Sequence, residues 1–385
     1  MPTPFKVAVP QATIDRILDR VRTSIWPDAP EGSGQSGWAY GADAGYMKAL
    51  ANHWGTTYDW RKAEAALNAH PQFTARVDEF DIHFIHVKGS GSNPLPLIIT
   101  HGWPGSYWEF VHVVDRLAHP ERHGGKAEDG FDLVIPSMPG YGFSSKPKSP
   151  IGPRRVAALW RKLMVDVLGY KSFVAQGGDW GSAVTTFLGA DHGDVVQGIH
   201  ITMTPLMVDR PPEDLNDEER AWQQGAAQYF ELEGAYFREQ ATKPMTPAFA
   251  LADSPVGCAA WIIEKFKGWS DVAGDDVDAV YTMDQLITNV MIYLVTNTIG
   301  TSIWMYRGFA EENGGQMPRD LRVAVPTGVS AFPAEMTTYL GPRSWVEKGY
   351  NLQYWAKMTK GGHFPSVEVP DDFVGELRDF FRTLR

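Results

Sequence analysis

Between residues 95 and 203 the chain alternates short apolar runs with longer helical stretches, and no other feature limits its fold as strongly. Leu95 to Thr100, Leu133 to Pro136, Phe173 to Ala175 and Gly198 to Met203 are strand-length runs. Helical spacing occupies Arg154 to Leu168 and resumes after Trp180. Such runs suit strands covered on both faces, so an α/β fold is expected, with a mostly parallel central sheet flanked by helices. Just upstream, Val77, Phe80, Ile82, Phe84 and Val87 alternate with polar residues and predict a hairpin, closed off by the turn cluster Gly89 to Pro94.

The pattern changes on either side. Residues 1–75 read as a helical preface wrapped on the core: Ile14, Ile17, Leu18 and Val21 mark one helix face, and a second helix follows through Met47, Leu50 and Trp54. The Gly/Ser-rich stretch Glu31 to Gly37 reads as the loop between them. Residues 76–205 form the first part of the core. After Pro205 the alternation stops, and 206–321 read as a helical lid rich in aromatic residues. Strand character returns at Arg322 to Val325 and near Leu352 to Met358, and a helix over Asp372 to Leu384 closes a second core part, 322–385. An insertion between two halves of one sheet accounts for this order.

Composition narrows the class. A net charge of −11, from 46 acidic and 35 basic side chains, with no Lys/Arg block, argues against nucleic acid as a partner. Cys258 is the single cysteine, so no internal disulfide forms and a cytoplasmic location is expected. Met1 to Gln11 shows no apolar run of signal or anchor length. Gln285 to Tyr306 is uncharged and as long as a bilayer span, but Thr288, Asn289, Thr296 and Asn297 would be costly in hydrocarbon, so it reads as a buried helix of a soluble protein.

Three motifs end predicted strands, where open parallel sheets place their ligands. Gln176-Gly177-Gly178-Asp179-Trp180-Gly181 has small residues two before and two after Asp179, as a tight strand-to-helix elbow demands. A Gly-rich turn with a capping Asp would give the same pattern. An elbow carboxylate is already ionised and attacks saturated carbon without a base. The resulting alkyl ester then needs a base and an oxyanion hole for its hydrolysis. His101-Gly102-Trp103-Pro104-Gly105 suits an oxyanion loop: the backbone N–H groups of Trp103 and Trp180 are the candidate donors, and Trp103–Pro104 is a candidate cis bond. Gly361-Gly362-His363-Phe364 follows the last predicted strand, so His363 is the candidate base. Glu335, in Phe332-Pro333-Ala334-Glu335, is the candidate to orient it. Asp209 is held in reserve and Glu347 lies further along. This chemistry calls for no metal or organic cofactor.

With Ile25-Trp26-Pro27, Tyr58-Asp59-Trp60-Arg61, Leu67-Asn68, Pro71-Gln72-Phe73, Pro139-Gly140-Tyr141-Gly142-Phe143-Ser144 and Pro326-Thr327-Gly328 added to these motifs, the chain resembles the microsomal-type epoxide hydrolases over nearly its whole length. The resemblance implies an α/β-hydrolase fold with a helical lid and an N-terminal meander. It also implies an aspartyl nucleophile at Asp179, a His363/Glu335 pair that activates water, and two lid tyrosines that hydrogen-bond the epoxide oxygen. Tyr306, in Trp304-Met305-Tyr306-Arg307, takes one of those places. Tyr236, in Gly234-Ala235-Tyr236-Phe237, takes the other, in a region that departs from the family pattern and leaves Tyr229 open for the role. Mammalian-type members carry a membrane anchor that this chain is expected to lack, which points to a soluble microbial enzyme acting on a hydrophobic, aryl-compatible epoxide and water. A haloalkane dehalogenase and a catalytically silent hydrolase-fold binder are the competing readings. Paired lid phenols and the N-terminal region speak against the first, and an intact Asp179, Glu335 and His363 against the second.

Overall fold

The computed structural model describes residues 1–29, 37–207, 211–336 and 339–385. Asp209 and the stretch Glu31 to Ser36 lie outside them. Among the described residues, β1 (Thr3–Phe5), β2 (Gln72–Val77), β3 (Phe80–Val87), β4 (Leu95–Thr100), β5 (Phe131–Pro136), β6 (Phe173–Gly177), β7 (Val196–Ile201), β8 (Val323–Ala331) and β9 (Tyr350–Lys357) form one sheet. Its order is β1-β2-β3-β5-β4-β6-β7-β8-β9. Pairings from β1 to β5 are antiparallel, and those from β5 through β4 to β9 are parallel. β4 and β5 are buried almost along their whole length, as their uninterrupted apolar runs require.

The chain lays down β4, steps to β5 on one side, and returns past β4 to β6 on the other. This reversal leaves a crevice beyond the carboxyl ends of β4 and β6. Thr100 pairs with Gly177 there, so the loop opening at His101 and the turn at Asp179 start side by side.

The first region carries α1 (Gln11–Arg22), α2 (Ala44–Thr56) and α3 (Trp60–Leu67). Its first strand was not expected. Thr3–Phe5 pairs with Gln72 to Thr74 at the sheet edge, and three residues with no alternation give a strand no signature in sequence. In the first core part follow α4 (Val114–Ala118), α5 (Pro153–Lys162) and α6 (Asp179–Asp191). α5 has Pro153 in its first turn and buries Val156, Ala157, Leu159 and Trp160. It passes into a π turn over Leu163–Val167, inside the stretch read as one continuous helix.

Between β7 and β8 lie α7 (Asp217–Glu233), α8 (Ala235–Thr242), α9 (Met245–Asp253), α10 (Pro255–Trp269), α11 (Met283–Thr296), α12 (Ile299–Ser302) and α13 (Trp304–Asn313). α7 and α11 open with reciprocal capping boxes, Asn216 with Glu219 and Thr282 with Gln285. The apolar stretch from Gln285 to Tyr306 is not one helix. Asn297 adopts φ 52° at the end of α11, and the segments Met283–Thr296 and Ile299–Glu312 meet at 98°. Among the described residues no single helix is long and apolar enough to cross a membrane. α14 (Arg343–Gly349), α15 (Pro365–Glu368) and α16 (Pro370–Arg382) complete the chain. The N-terminal helices grip the lid through polar contacts: Tyr46 to Asp278 at 2.9 Å, His53 to Asp284 at 2.6 Å and Arg20 to Asp253 at 2.5 Å.

Candidate active site

Asp179 sits at φ 49°, in the left-handed region that costs a non-glycine residue energy unless its surroundings impose it. They do. A Cβ at Gly177 would come within 2.0 Å of the Gly181 carbonyl oxygen, one at Gly181 within 1.9 Å of that of Thr100, and one at Gly102 within 2.2 Å of the Asp179 Cβ. Three glycines therefore let β4, β6 and α6 close around one carboxylate. The Trp103 N–H donates to Asp179 Oδ1 at 2.8 Å. Trp180 is the second residue of α6, so its amide precedes the first hydrogen bond inside the helix, from Ser182 N to Gly178 O.

The motif's histidine braces the loop that carries Trp103. His101 is fully buried and its imidazole is pulled down to about 4, by burial before any charge, so it is neutral. As the neutral tautomer its Nδ1–H donates to Gly102 O at 3.0 Å while Nε2 accepts from Met138 N at 3.2 Å. Beyond the cis Trp103–Pro104 bond, Asn289 of α11 donates to Pro104 O at 2.8 Å and the Tyr293 hydroxyl to Gly105 O, binding loop to lid.

On the far side of the crevice, His363 Nδ1–H donates to Glu335 Oε1 at 2.8 Å, and Nε2 lies 3.4 Å from Asp179 Oδ2. Both His363 and Glu335 are buried. Glu335 Oε1 also accepts from Met336 N at 2.9 Å, and His363 N donates to Trp269 O at 2.8 Å. Burial pulls the imidazole down, but the charges of Glu335 and Asp179 outweigh it and hold His363 well above its ordinary value. Glu347 instead pairs with Arg343 on the exposed side of α14, away from His363.

Tyr236 on α8 and Tyr306 on α13 face Asp179 across a cavity of about 480 Å³, whose walls include Trp180, Phe237 and Phe309. Tyr306 meets Trp180 edge-on at 4.8 Å, and Tyr236 stacks on Trp103 at 5.7 Å. Burial first, then phenol neighbours and the Asp179 charge, push both hydroxyls well above the usual range, so they keep their protons. Tyr229 lines a neighbouring cavity, which it shares with Tyr236, Trp261 and Lys265, and is not among the residues that line this one. Tyr339 is: it lines the cavity with Tyr236 and Tyr306. Its loop between β8 and α14 carries no motif that marks it in the sequence.

Residues 2–110 match the family model for the epoxide hydrolase N terminus, and residues 96–252 that for the alpha/beta hydrolase fold. The chain is 42% identical to a Stigmatella aurantiaca protein provisionally named an epoxide hydrolase, over 100% of this chain and 85% of that one. It is 34% identical to epoxide hydrolase 1 of Sus scrofa, over 99% and 88%. The chain belongs to the epoxide hydrolase family. Among solved structures, the juvenile hormone epoxide hydrolase of Bombyx mori superposes with a TM-score of 0.90 at 26% identity, covering 100% of this chain and 95% of that one. The Aspergillus niger epoxide hydrolase gives 0.86 at 28%, covering 100% and 97%. Membership makes the chain an enzyme, a hydrolase with the α/β-hydrolase fold, and turns the reading away from a dehalogenase or a silent binder.

Proposed function

We propose that this epoxide hydrolase converts a hydrophobic epoxide to a vicinal diol in two steps through an ester on Asp179. The observation that carries the reading is the Asp179 carboxylate itself: one oxygen is held by the Trp103 N–H, the other faces His363, and two protonated phenols stand above it. Oδ1 is occupied by its donor, which leaves Oδ2 to attack a ring carbon. As that C–O bond forms, the ring C–O bond breaks and the released oxygen takes a proton from Tyr306 or Tyr236. A phenol at each side suits an oxygen that turns from ether to alkoxide.

Alkylation neutralises Asp179 and so removes one of the charges that keep His363 protonated. The base is thereby readied for the second step by the first. His363 Nε2 accepts a proton from water, the hydroxide bonds to Asp179 Cγ, and the Trp103 and Trp180 amides stabilise the oxyanion on Oδ1. Collapse expels the diol oxygen, which takes the proton from His363. Hydrolysis regenerates the carboxylate and liberates one proton, restoring the phenol. Glu335 keeps the imidazole in the tautomer this requires.

The cavity's walls are aromatic, and exposed Gln223 and Gln316 are among its polar members, which suits an apolar, aryl-compatible substrate. A single buried cysteine, Cys258, is compatible with folding in a reducing cytoplasm. Replacing the base tests the mechanism. His363→Gln incubated with styrene oxide should accumulate an adduct whose mass maps to the peptide containing Asp179. An unmodified peptide, with the epoxide consumed, would remove the covalent step.

A further inference from the structure

Glu109 is a buried carboxyl that the mechanism above does not use. It lies in the 3₁₀ segment Tyr107–Val113, with 7% of its surface exposed, and its Oε1 is buried without a hydrogen-bond partner among the described residues. An unsatisfied buried carboxyl oxygen calls for an explanation. Gly105 makes room for it: a Cβ there would stand 1.6 Å from Glu109 Oε1, so the carboxyl occupies the space a side chain at 105 would fill.

A small cavity, of about 10 Å³, opens beside this carboxyl. Gly102, Trp103, Glu109, Gly178, Asp179 and His363 contribute to its lining. That volume is about the size of one water molecule. Asp179 also lines the 480 Å³ cavity, and thus stands between a large, mainly apolar chamber and a small one bordered by the Asp179 and Glu109 carboxyls and the His363 imidazole. The epoxide fits the first, and the reactant of the second step fits the other.

The geometry points to Glu109 as the second holder of the water that hydrolyses the Asp179 ester, an assignment resting on the covalent reading above. The water donates one hydrogen to His363 Nε2 and the other to the Glu109 carbonyl oxygen, which leaves a lone pair for Asp179 Cγ. His363 receives the proton, and Glu109 receives none. In the free enzyme burial first, with the Asp179 charge adding to it against the pull of His363, pushes Glu109 up to about 8; alkylation removes the Asp179 contribution, and burial, the largest cause, still disfavours the ionised form.

The test is rapid-quench kinetics on the full chain with styrene oxide, reading ester formation and ester hydrolysis separately by mass. Glu109→Leu should slow hydrolysis by about tenfold to a hundredfold and leave alkylation within about threefold, because only the water loses its alignment. Glu109→Gln keeps the carbonyl oxygen and should hold both steps within about threefold. Hydrolysis unchanged in Glu109→Leu, or both steps slowed alike, would overturn the assignment. If the leucine variant fails to fold, Glu109→Gln decides: a selective tenfold loss of hydrolysis in this near-isosteric variant means that the acid's proton matters, and the positioning role is wrong. A failure of the covalent reading looks different, since no ester would then form even in His363→Gln.

Discussion

Asp179, Glu335 and His363 stand beyond the carboxyl ends of β6, β8 and β9 of one sheet, while Tyr236 and Tyr306 stand on lid helices and meet the site largely through ring packing. The first group is held by directional contacts of 2.8 Å, from Trp103 N to Asp179 and from His363 to Glu335, in a frame where three glycines admit no side chain. Around the second, ring centroids lie 4.8 to 6.0 Å apart, in stacked and edge-on contacts whose energies vary slowly with angle. On the proposed mechanism the sheet fixes where a bond to carbon forms. The lid closes over that point with aromatic walls.

Breaking the sheet side should have the larger effect. Glu335→Gln should lower ester hydrolysis by about 10³-fold to 10⁴-fold, with the ester accumulating, as expected when a histidine loses the anion that sets its tautomer. The pH profile of the hydrolysis step sharpens this. Neutral His363 is the working form in the proposed mechanism, so the rate should fall as pH drops through the imidazole's pKa. Glu335 is one of the groups that raise that value, and its removal should move the acid limb to lower pH. A limb that stays in place would detach Glu335 from the base.

On the lid side, Tyr306→Phe and Tyr236→Phe should each slow alkylation by about tenfold to a hundredfold and the pair by more, within the range of general-acid contributions, with hydrolysis nearly unchanged. Stopped-flow tryptophan fluorescence separates the steps, since Trp103 and Trp180 border the reacting carboxylate. Equal slowing of both steps would place the phenols outside the chemistry. The smallest effect is expected where the N-terminal region grips the lid. Arg20 and Asp253 are both well exposed, so Arg20→Ala should cost no more than about 1 kcal/mol of stability in a denaturant melt. A larger loss would make that contact part of the lid's hinge.

The same contrast decides what could be read from the chain. The elbow, the oxyanion loop and the histidine loop are local patterns, each a few residues long at the end of an apolar run, so Asp179, Trp103 and His363 could be named before any coordinates. Lid residues had no such address. Tyr236 and Tyr229 lie seven residues apart on adjoining helices, and only the fold shows that Tyr236 reaches the cavity that holds Asp179 while Tyr229 lines just its neighbour. Tyr339 and Glu109 went unremarked because their surroundings are assembled from distant segments. The break at Asn297 was hidden inside an uncharged stretch, where one left-handed residue turns the helix. β1 was missed because a partner strand almost seventy residues away, and not its own pattern, makes it a strand.

A single turnover in H₂¹⁸O, with enzyme in excess over styrene oxide, tests the covalent step most directly. If Asp179 forms the ester, the diol from that first turnover carries no heavy oxygen and the label appears in the peptide containing Asp179. Label found in the first diol, with Asp179 unlabelled, would mean that water attacks the epoxide directly.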